Sequence, residues 1–118
     1  WSDYYRLLYR EEAPGWQATR QSIEDLAEMT RAQGTPLLLV NYPELRNLAP
    51  YPFSDVSAKI ERVAAAHGVL FLDLLASVQE LDPRDLWVSV EDPHPNGKAN
   101  AHFAAAMTES IRQILSTS

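Results

Sequence analysis

The sequence has no cysteine and no long apolar run. Without cysteine the chain has no disulfide bond, thiol nucleophile or cysteine zinc site, although this does not distinguish the cytoplasm from an oxidising compartment. A helix needs roughly 20 apolar residues to cross a bilayer, whereas the longest runs are only PLLLV (36–40) and GVLFL (68–72). We therefore expect no membrane span, and localisation stays open.

Positive charge is also scarce. The chain has 10 Lys and Arg residues against 16 Asp and Glu residues, and its formal net charge is −6. Proteins that neutralise the phosphates of nucleic acid usually carry basic runs, and none is present here. The composition therefore argues against nucleic acid as a partner.

The 118 residues are enough for one small compact domain, and 46% of them are hydrophobic. We expect residues 1–118 to form a single domain or part of one. The sequence begins with Trp1 rather than methionine, and the alternatives are a processed product, an expressed fragment or a piece of a longer chain.

Three segments repeat apolar residues at spacings of three and four, which predicts amphipathic helices. The first ends near Gly34, the second runs from Ser54 as N-cap to Gly68, and the third is capped by Asn96. A shorter helix is predicted around 4–10. The predicted buried faces are Trp16, Ile23, Leu26 and Thr30; Val56, Ile60 and Val63; and Phe103, Met107, Ile111 and Ile114.

Two continuous apolar runs, PLLLVNY (36–42) and GVLFLDL (68–74), have the length of strands. Such runs are typical of parallel strands covered on both faces. The order helix, strand, helix, strand, helix is that of an open α/β layer fold. Two strands are few for such a sheet, which leaves one sheet edge without a neighbouring strand. Because an unpaired apolar edge favours association, we expect the isolated chain to self-associate.

A candidate acid and histidine pair lies in EDPHPN (91–96), just before the last predicted helix. Active sites of open parallel sheets lie beyond the carboxyl ends of the strands, and the loop that follows Asp73 carries His94 to that edge. A catalytic histidine needs a carboxylate on one ring nitrogen, and Asp92 is two residues away. The alternative is that Asp92 or Asn96 only caps the helix.

The segment LWVSVEDPHPNGKANAHFAAAM (86–107) resembles the C-terminal catalytic block of the SGNH hydrolases, also called GDSL esterases and lipases. Residues 36–78 are similar to the penultimate strand, helix and last strand of that family, and the likeness covers roughly residues 16–115. The resemblance implies a three-layer α/β/α flavodoxin-like fold. This chain would carry its C-terminal part, with two parallel strands and three or four helices.

The resemblance also implies roles for the candidate pair, with His94 as general base and Asp92 as the residue that orients it. Many family members place the acid three residues before the histidine, where this sequence has Glu91. Asp92 fits the other common spacing, and we prefer it. Ala99 stands where the family often has glycine.

The family's nucleophilic serine, oxyanion glycine and Gly-x-Asn-Asp asparagine have no counterpart in this sequence. We expect none of the serines present to replace the nucleophile: Ser54 is predicted as a helix cap, Ser57 as a helix residue, Ser77 and Ser110 as surface residues, and Ser89 is too close in sequence to His94. An acyl-transfer site without nucleophile or oxyanion donors loses most of its catalysis. We therefore expect this chain alone to be inactive, with those groups in a missing N-terminal half.

The resemblance implies a serine esterase or acyl hydrolase that acts on a lipid, an acetylated sugar or another small ester, without metal or organic cofactor. A second hypothesis is a non-catalytic binding or assembly module derived from a hydrolase half. A third is a metal-dependent phosphoesterase, because Asp-x-His also occurs as a pair of metal ligands. Such sites usually need further His and Asp clusters, and the chain has only three histidines.

The other conspicuous polar and aromatic residues are predicted to be structural. His67 is expected at a helix end, meeting the last carbonyls, and Asp73 is expected to hydrogen-bond to loop backbone. Trp87 is predicted to anchor a loop. Asn41 and Tyr42 end the first predicted strand, where they either line a substrate pocket or serve structure only.

Overall fold

A computed structural model describes residues 1–117 and shows a mixed α/β chain, as the sequence predicts. Two four-residue strands pair in one two-stranded parallel sheet. The three-layer α/β/α arrangement stays a prediction. The elements are α1 (Ser2–Leu8), α2 (Pro14–Ala32), β1 (Leu38–Asn41), α3 (Ser54–Ala66), β2 (Leu70–Asp73), two 3₁₀ helices (Leu74–Ser77 and Pro83–Leu86) and α4 (Gly97–Thr117).

The two helices that precede the strands end in the same way. Gly34 after α2 and Gly68 after α3 have φ values of 67° and 68°, a left-handed conformation that glycine adopts without steric cost. Beyond each glycine the next amide donates back into the helix, from Thr35 to Thr30 at 2.9 Å and from Val69 to Ala64 at 2.8 Å. This Schellman geometry satisfies the last carbonyls and turns the chain directly into a strand.

The contacts divide the chain into two compact units, and both strands pass from one unit to the other. Unit 1 consists of Trp1–Leu39 and Pro52–Phe71, and unit 2 consists of Val40–Tyr51 and the residues from Leu72 onward. In unit 1 the small side chains of Ala27 and Ala64 are buried beside Val69. Half-buried Leu37, Leu39 and Phe71 pack against this cluster.

Unit 2 contains the larger apolar core, which surrounds the start of α4. Phe103 of α4 is 1% exposed and is packed with side chains from the loops and from both 3₁₀ helices. Burial of these side chains is the main stabilising term, at roughly 25 cal/mol for each Å² of apolar surface removed from water. The buried members are Leu45, Leu48, Leu74, Val78, Leu86, Ala99 and Phe103.

Four local predictions are wrong. Leu26 and Ile111, both predicted to be buried, are each 47% exposed. The N-cap of α3 is Phe53, whose carbonyl accepts from the Ser57 amide at 3.0 Å, so Ser54 is the first helical residue rather than the cap. No strand residue is fully buried, although continuous apolar runs predicted cover on both faces.

Candidate active site

The chain between β2 and α4 is built from capped 3₁₀ turns. The Asp73 carboxylate accepts a hydrogen bond from the Leu75 amide at 3.0 Å, which confirms its predicted contact with loop backbone. The Asp82 carboxylate accepts from the Arg84 amide at 3.0 Å and starts the second 3₁₀ helix at Pro83. Each aspartate satisfies an amide that has no partner inside its own helical turn.

Residues 86–96 form a short hairpin that presents the candidate pair, and we call it the Pro-rich hairpin. The Asn96 amide donates to the Leu86 carbonyl at 2.8 Å, and the Val88 amide donates to the His94 carbonyl at 3.0 Å. At the tip, Ser89 and Asp92 exchange two backbone hydrogen bonds of 3.2 Å. These bonds, with the fixed φ of the two prolines, hold the segment in one backbone path.

Asn96 joins the Pro-rich hairpin to α4. Its side-chain oxygen accepts from the Ala99 amide at 3.0 Å, which confirms the predicted cap. Its side-chain amide donates to the carbonyls of Asp85 at 2.8 Å and Trp87 at 3.0 Å. One side chain therefore fixes the start of the helix and the first strand of the hairpin together.

Trp87 provides a second anchor within unit 2. Its indole Nε1 donates to the Leu45 carbonyl at 2.9 Å, and its ring packs against the core of this unit. The prediction that Trp87 anchors a loop is confirmed. This hydrogen bond and the packing of the ring hold the base of the hairpin in place.

The structure brings the two predicted site residues into direct contact. Nδ1 of His94 lies 2.5 Å from Oδ1 of Asp92, and the same oxygen accepts from the His94 backbone amide at 3.1 Å. Both backbone polar groups of His94 are thus bonded, to Asp92 and to Val88. Its side chain is nevertheless 83% exposed, so the second ring nitrogen, Nε2, is accessible from solvent.

The electrostatics of this pair determine which ring nitrogen carries the proton. The hydrogen bonds from the His94 side chain and backbone lower the pKa of Asp92 below its ordinary value of 3.8, so this carboxyl is ionised at neutral pH. An ionised carboxylate only accepts hydrogen bonds, so within the uncharged imidazole it favours the tautomer with the proton on Nδ1. The lone pair of Nε2 is then free to accept a proton.

Asp92 contacts His94, and Glu91, the other candidate acid, does not. Glu91 is exposed and makes no hydrogen bond or ion pair with any of residues 1–117. The hydrogen bond identifies the partner of the imidazole. The catalytic role of both residues stays a prediction.

No serine completes a catalytic triad within the described part of the chain. In residues 1–117 the His94 ring hydrogen-bonds only to Asp92. Ser57 is buried in α3, and the Ser77 hydroxyl donates to the Leu74 carbonyl at 2.6 Å. Over the same residues there is no cluster of three His, Asp or Glu side chains that could hold a metal ion.

The remaining predicted residues have structural contacts. His67 is at the C-terminal end of α3, as predicted. Its imidazole does not meet the last carbonyls of the helix, because its Nε2 lies 3.3 Å from the Glu24 carboxylate. The side chain of Arg31 donates to the backbone carbonyl of His67 instead. Tyr42 is 54% exposed and packs edge-on against Phe103. Whether Asn41 and Tyr42 line a substrate pocket stays a prediction.

Two features of the site were not predicted from the sequence: the two donor bonds of Asn96 and the pairing of Trp87 with Pro95. The tripeptide Pro-Asn-Gly at 95–97 indicates a turn and a cap, but no periodicity marks which carbonyls lie opposite the amide. The Trp at the start of the hairpin is the one available signal, because a buried indole needs a hydrogen-bond acceptor.

Compared with protein-family models, curated proteins and solved structures, the chain shows no significant match. Within residues 1–117, none of the helices combines the length and the hydrophobicity that crossing a membrane requires. The geometry of the Pro-rich hairpin and the motif in residues 86–107 are therefore the two features of this chain that bear on its function.

Proposed function

We propose that this chain supplies the acid and the base of a serine ester hydrolase of the SGNH type. The observation that carries the proposal is the hydrogen bond from His94 Nδ1 to Asp92, in a backbone-fixed hairpin that leaves Nε2 accessible. Support also comes from the motif in residues 86–107 and from the parallel β1–α3–β2 order. The three-layer flavodoxin-like architecture of that family is part of the proposal.

In the proposed reaction, His94 Nε2 accepts the proton of a serine hydroxyl as its oxygen attacks the carbonyl of an ester. The Asp92 carboxylate stabilises the imidazolium that forms, because it lies against the Nδ1 proton. His94 then returns the proton to the departing alcohol, which leaves the acyl group on the serine oxygen. In the second half of the reaction His94 accepts a proton from the attacking water and returns it to the serine oxygen as the acid is released. The chemistry requires neither a metal ion nor an organic cofactor.

The nucleophile and the oxyanion donors belong, in this proposal, to residues outside this sequence. The support is chemical: the imidazole has an oriented Nδ1 and an accessible Nε2, yet contacts no hydroxyl in residues 1–117. The substrate is a small ester of a lipid, an acetylated sugar or another alcohol. Self-association through the sheet edge is a further prediction, and a monodisperse monomer by light scattering at high concentration would count against it.

The proposal is tested by p-nitrophenyl acetate hydrolysis with the full natural chain that contains this sequence. His94→Gln should abolish turnover, because glutamine cannot accept and return a proton. His102→Gln is the matched control, since His102 lies on α4 outside the pair, and it should keep activity. Equal turnover in all three proteins would contradict the catalytic role of His94, and absence of turnover in all three would favour the non-catalytic binding module.

A further inference from the structure

Four basic side chains of unit 1 converge on one surface hollow of ≈ 350 Å³, which we call the basic hollow. They come from Arg6, Arg10, Lys59 and Arg62, and the only acidic residue in the lining is Asp55. The whole chain has 10 Lys and Arg residues and a net charge of −6. Arg6 also pairs with Asp3, and Lys59 pairs with Glu11, so these acids offset the charge of two of the four basic groups.

Helical spacing explains why these residues meet. Asp55, Lys59 and Arg62 lie four and three residues apart in α3, and such positions share one helix face. The opposite wall has Arg6 in the last turn of α1 and Arg10 just beyond its end. The two segments are joined by Arg6, whose Nε lies 3.1 Å from the Asp55 carboxylate.

Lys59 belongs to the framework of the basic hollow. Its side chain is only 18% exposed, and its Nζ donates to the Tyr9 carbonyl and lies 3.0 Å from the Glu11 carboxylate. The same ammonium lies 5.1 Å from the centroid of the Trp16 ring, a cation–π arrangement. With these partners Lys59 fixes the end of α1 against α3.

Arg10 and Arg62 have no such structural role. Both are exposed, and neither side chain forms a hydrogen bond or ion pair with any of residues 1–117. Two guanidinium groups lining one hollow without a counter-ion repel each other and are stabilised by a shared anion. A guanidinium offers a planar fork of N–H donors that fits phosphate oxygens two at a time.

We propose that the basic hollow binds the phosphate group of a phosphomonoester, with Arg10 and Arg62 as its direct ligands. Arg6 and Lys59 join the two walls of the hollow through their hydrogen bonds and ion pairs. A doubly charged phosphate matches the two unpaired guanidinium groups better than a singly charged carboxylate does, and the hollow lies at the small end of the usual size range of ligand sites. This site uses no residue of the Pro-rich hairpin, so it stands or falls independently of ester hydrolysis.

The phosphate can belong to a soluble compound or to a lipid headgroup, and the experiment separates these sources. Phenyl phosphate is titrated into the full natural chain by calorimetry, with phenol as the uncharged control that carries no ester bond. In parallel, sedimentation compares vesicles of phosphatidylcholine with and without phosphatidic acid. Binding of phenyl phosphate indicates a soluble ligand, and Arg62-dependent binding to phosphatidic acid vesicles alone indicates a lipid.

The variants are Arg10→Gln and Arg62→Gln, with Arg112→Gln as matched control. Arg112 is an exposed arginine of α4 that also forms no ion pair within residues 1–117. Each hollow variant should weaken binding about tenfold, the change expected for losing one charge-assisted hydrogen bond, whereas the control keeps the affinity. Absence of saturable binding in both assays, or equal weakening by Arg112→Gln, would overturn the proposal.

Discussion

Oδ1 of Asp92 accepts two hydrogen bonds from His94, one from the ring at 2.5 Å and one from the backbone amide at 3.1 Å. The backbone bond fixes the carboxylate by a local turn in which a side chain bonds to the amide two residues on. The ring bond then orients the imidazole. Both hydrogen bonds that orient the imidazole therefore join Asp92 and His94, two residues separated by one proline.

The first prediction separates Asp92 from its neighbour. In the full natural chain, Asp92→Asn should lower kcat for ester hydrolysis by on the order of 10³- to 10⁴-fold, because an amide no longer favours the Nδ1–H tautomer. Glu91→Gln removes the same charge one residue earlier and should leave kcat nearly unchanged. A larger loss from Glu91→Gln would assign the orienting role to Glu91 instead.

The second prediction concerns the titration of Asp92. Its pKa in the folded state lies below the ordinary value of 3.8 because of the hydrogen bonds from His94. A lowered pKa means that the ionised form stabilises the fold above that ordinary value, and that this stabilisation is lost as pH falls through the lowered pKa. A carboxyl ¹³C titration should show this shift, and His94→Gln should move the pKa back upward.

An Asp92 pKa at or above 3.8 in the wild-type chain, or one that His94→Gln leaves in place, would contradict this reading of the pair. Asp82 is the internal control, because Arg84 lowers its pKa through hydrogen bonds that do not involve His94. The pKa of Asp82 should be the same in both proteins.

The third prediction divides the functions of Asn96. Serine at this position keeps an oxygen for the Ala99 amide but loses the donors to the Asp85 and Trp87 carbonyls. Asn96→Ser should therefore lower stability by about 1–2 kcal/mol for the two lost bonds, while α4 keeps its cap.

Amide hydrogen exchange provides the measurement for Asn96→Ser. Exchange should quicken at Val88, whose amide belongs to the Pro-rich hairpin, and stay slow at Ala99. Asn96→Ala is the comparison, because it also removes the cap and should speed exchange at both amides. Unchanged protection of Val88 in Asn96→Ser would show that the side-chain amide does not hold the hairpin.

The fourth prediction contrasts two apolar residues of α4 that helical periodicity placed on one face. Phe103 is 1% exposed in the core of unit 2, whereas Ile111 is 47% exposed. Phe103→Ala should cost about 3–5 kcal/mol of unfolding free energy through lost burial and a cavity. Ile111→Ala should change it by no more than about 0.5 kcal/mol. Urea denaturation measures the unfolding free energy of both variants. Similar losses would contradict the difference in burial between Phe103 and Ile111.

The sequence predicted the features that depend on local chemistry. Gly34 and Gly68 end helices because each takes positive φ, and Asn96 caps α4 because its side chain reaches the Ala99 amide. Both strands were predicted, although each is shorter than its apolar run. α1 begins at Ser2 rather than near Tyr4, within the usual uncertainty of helix ends.

Features that depend on distant partners were not predictable in the same way. Leu26 and Ile111 satisfy the helical period, but periodicity does not report how far along a helix the packing continues. The Pro-rich hairpin forms because Leu86 and Val88 meet Asn96 and His94 across a turn. Such pairing depends on the path of the loop, which no local pattern encodes.

The most direct test of the central claim is labelling of the full natural chain with a serine-directed fluorophosphonate, followed by peptide mass mapping. We predict one labelled serine outside these 118 residues. Its labelling should be lost in His94→Gln and kept in His102→Gln. No labelling of the wild-type protein, or labelling that His94→Gln leaves unchanged, would contradict the claim that His94 activates a nucleophilic serine.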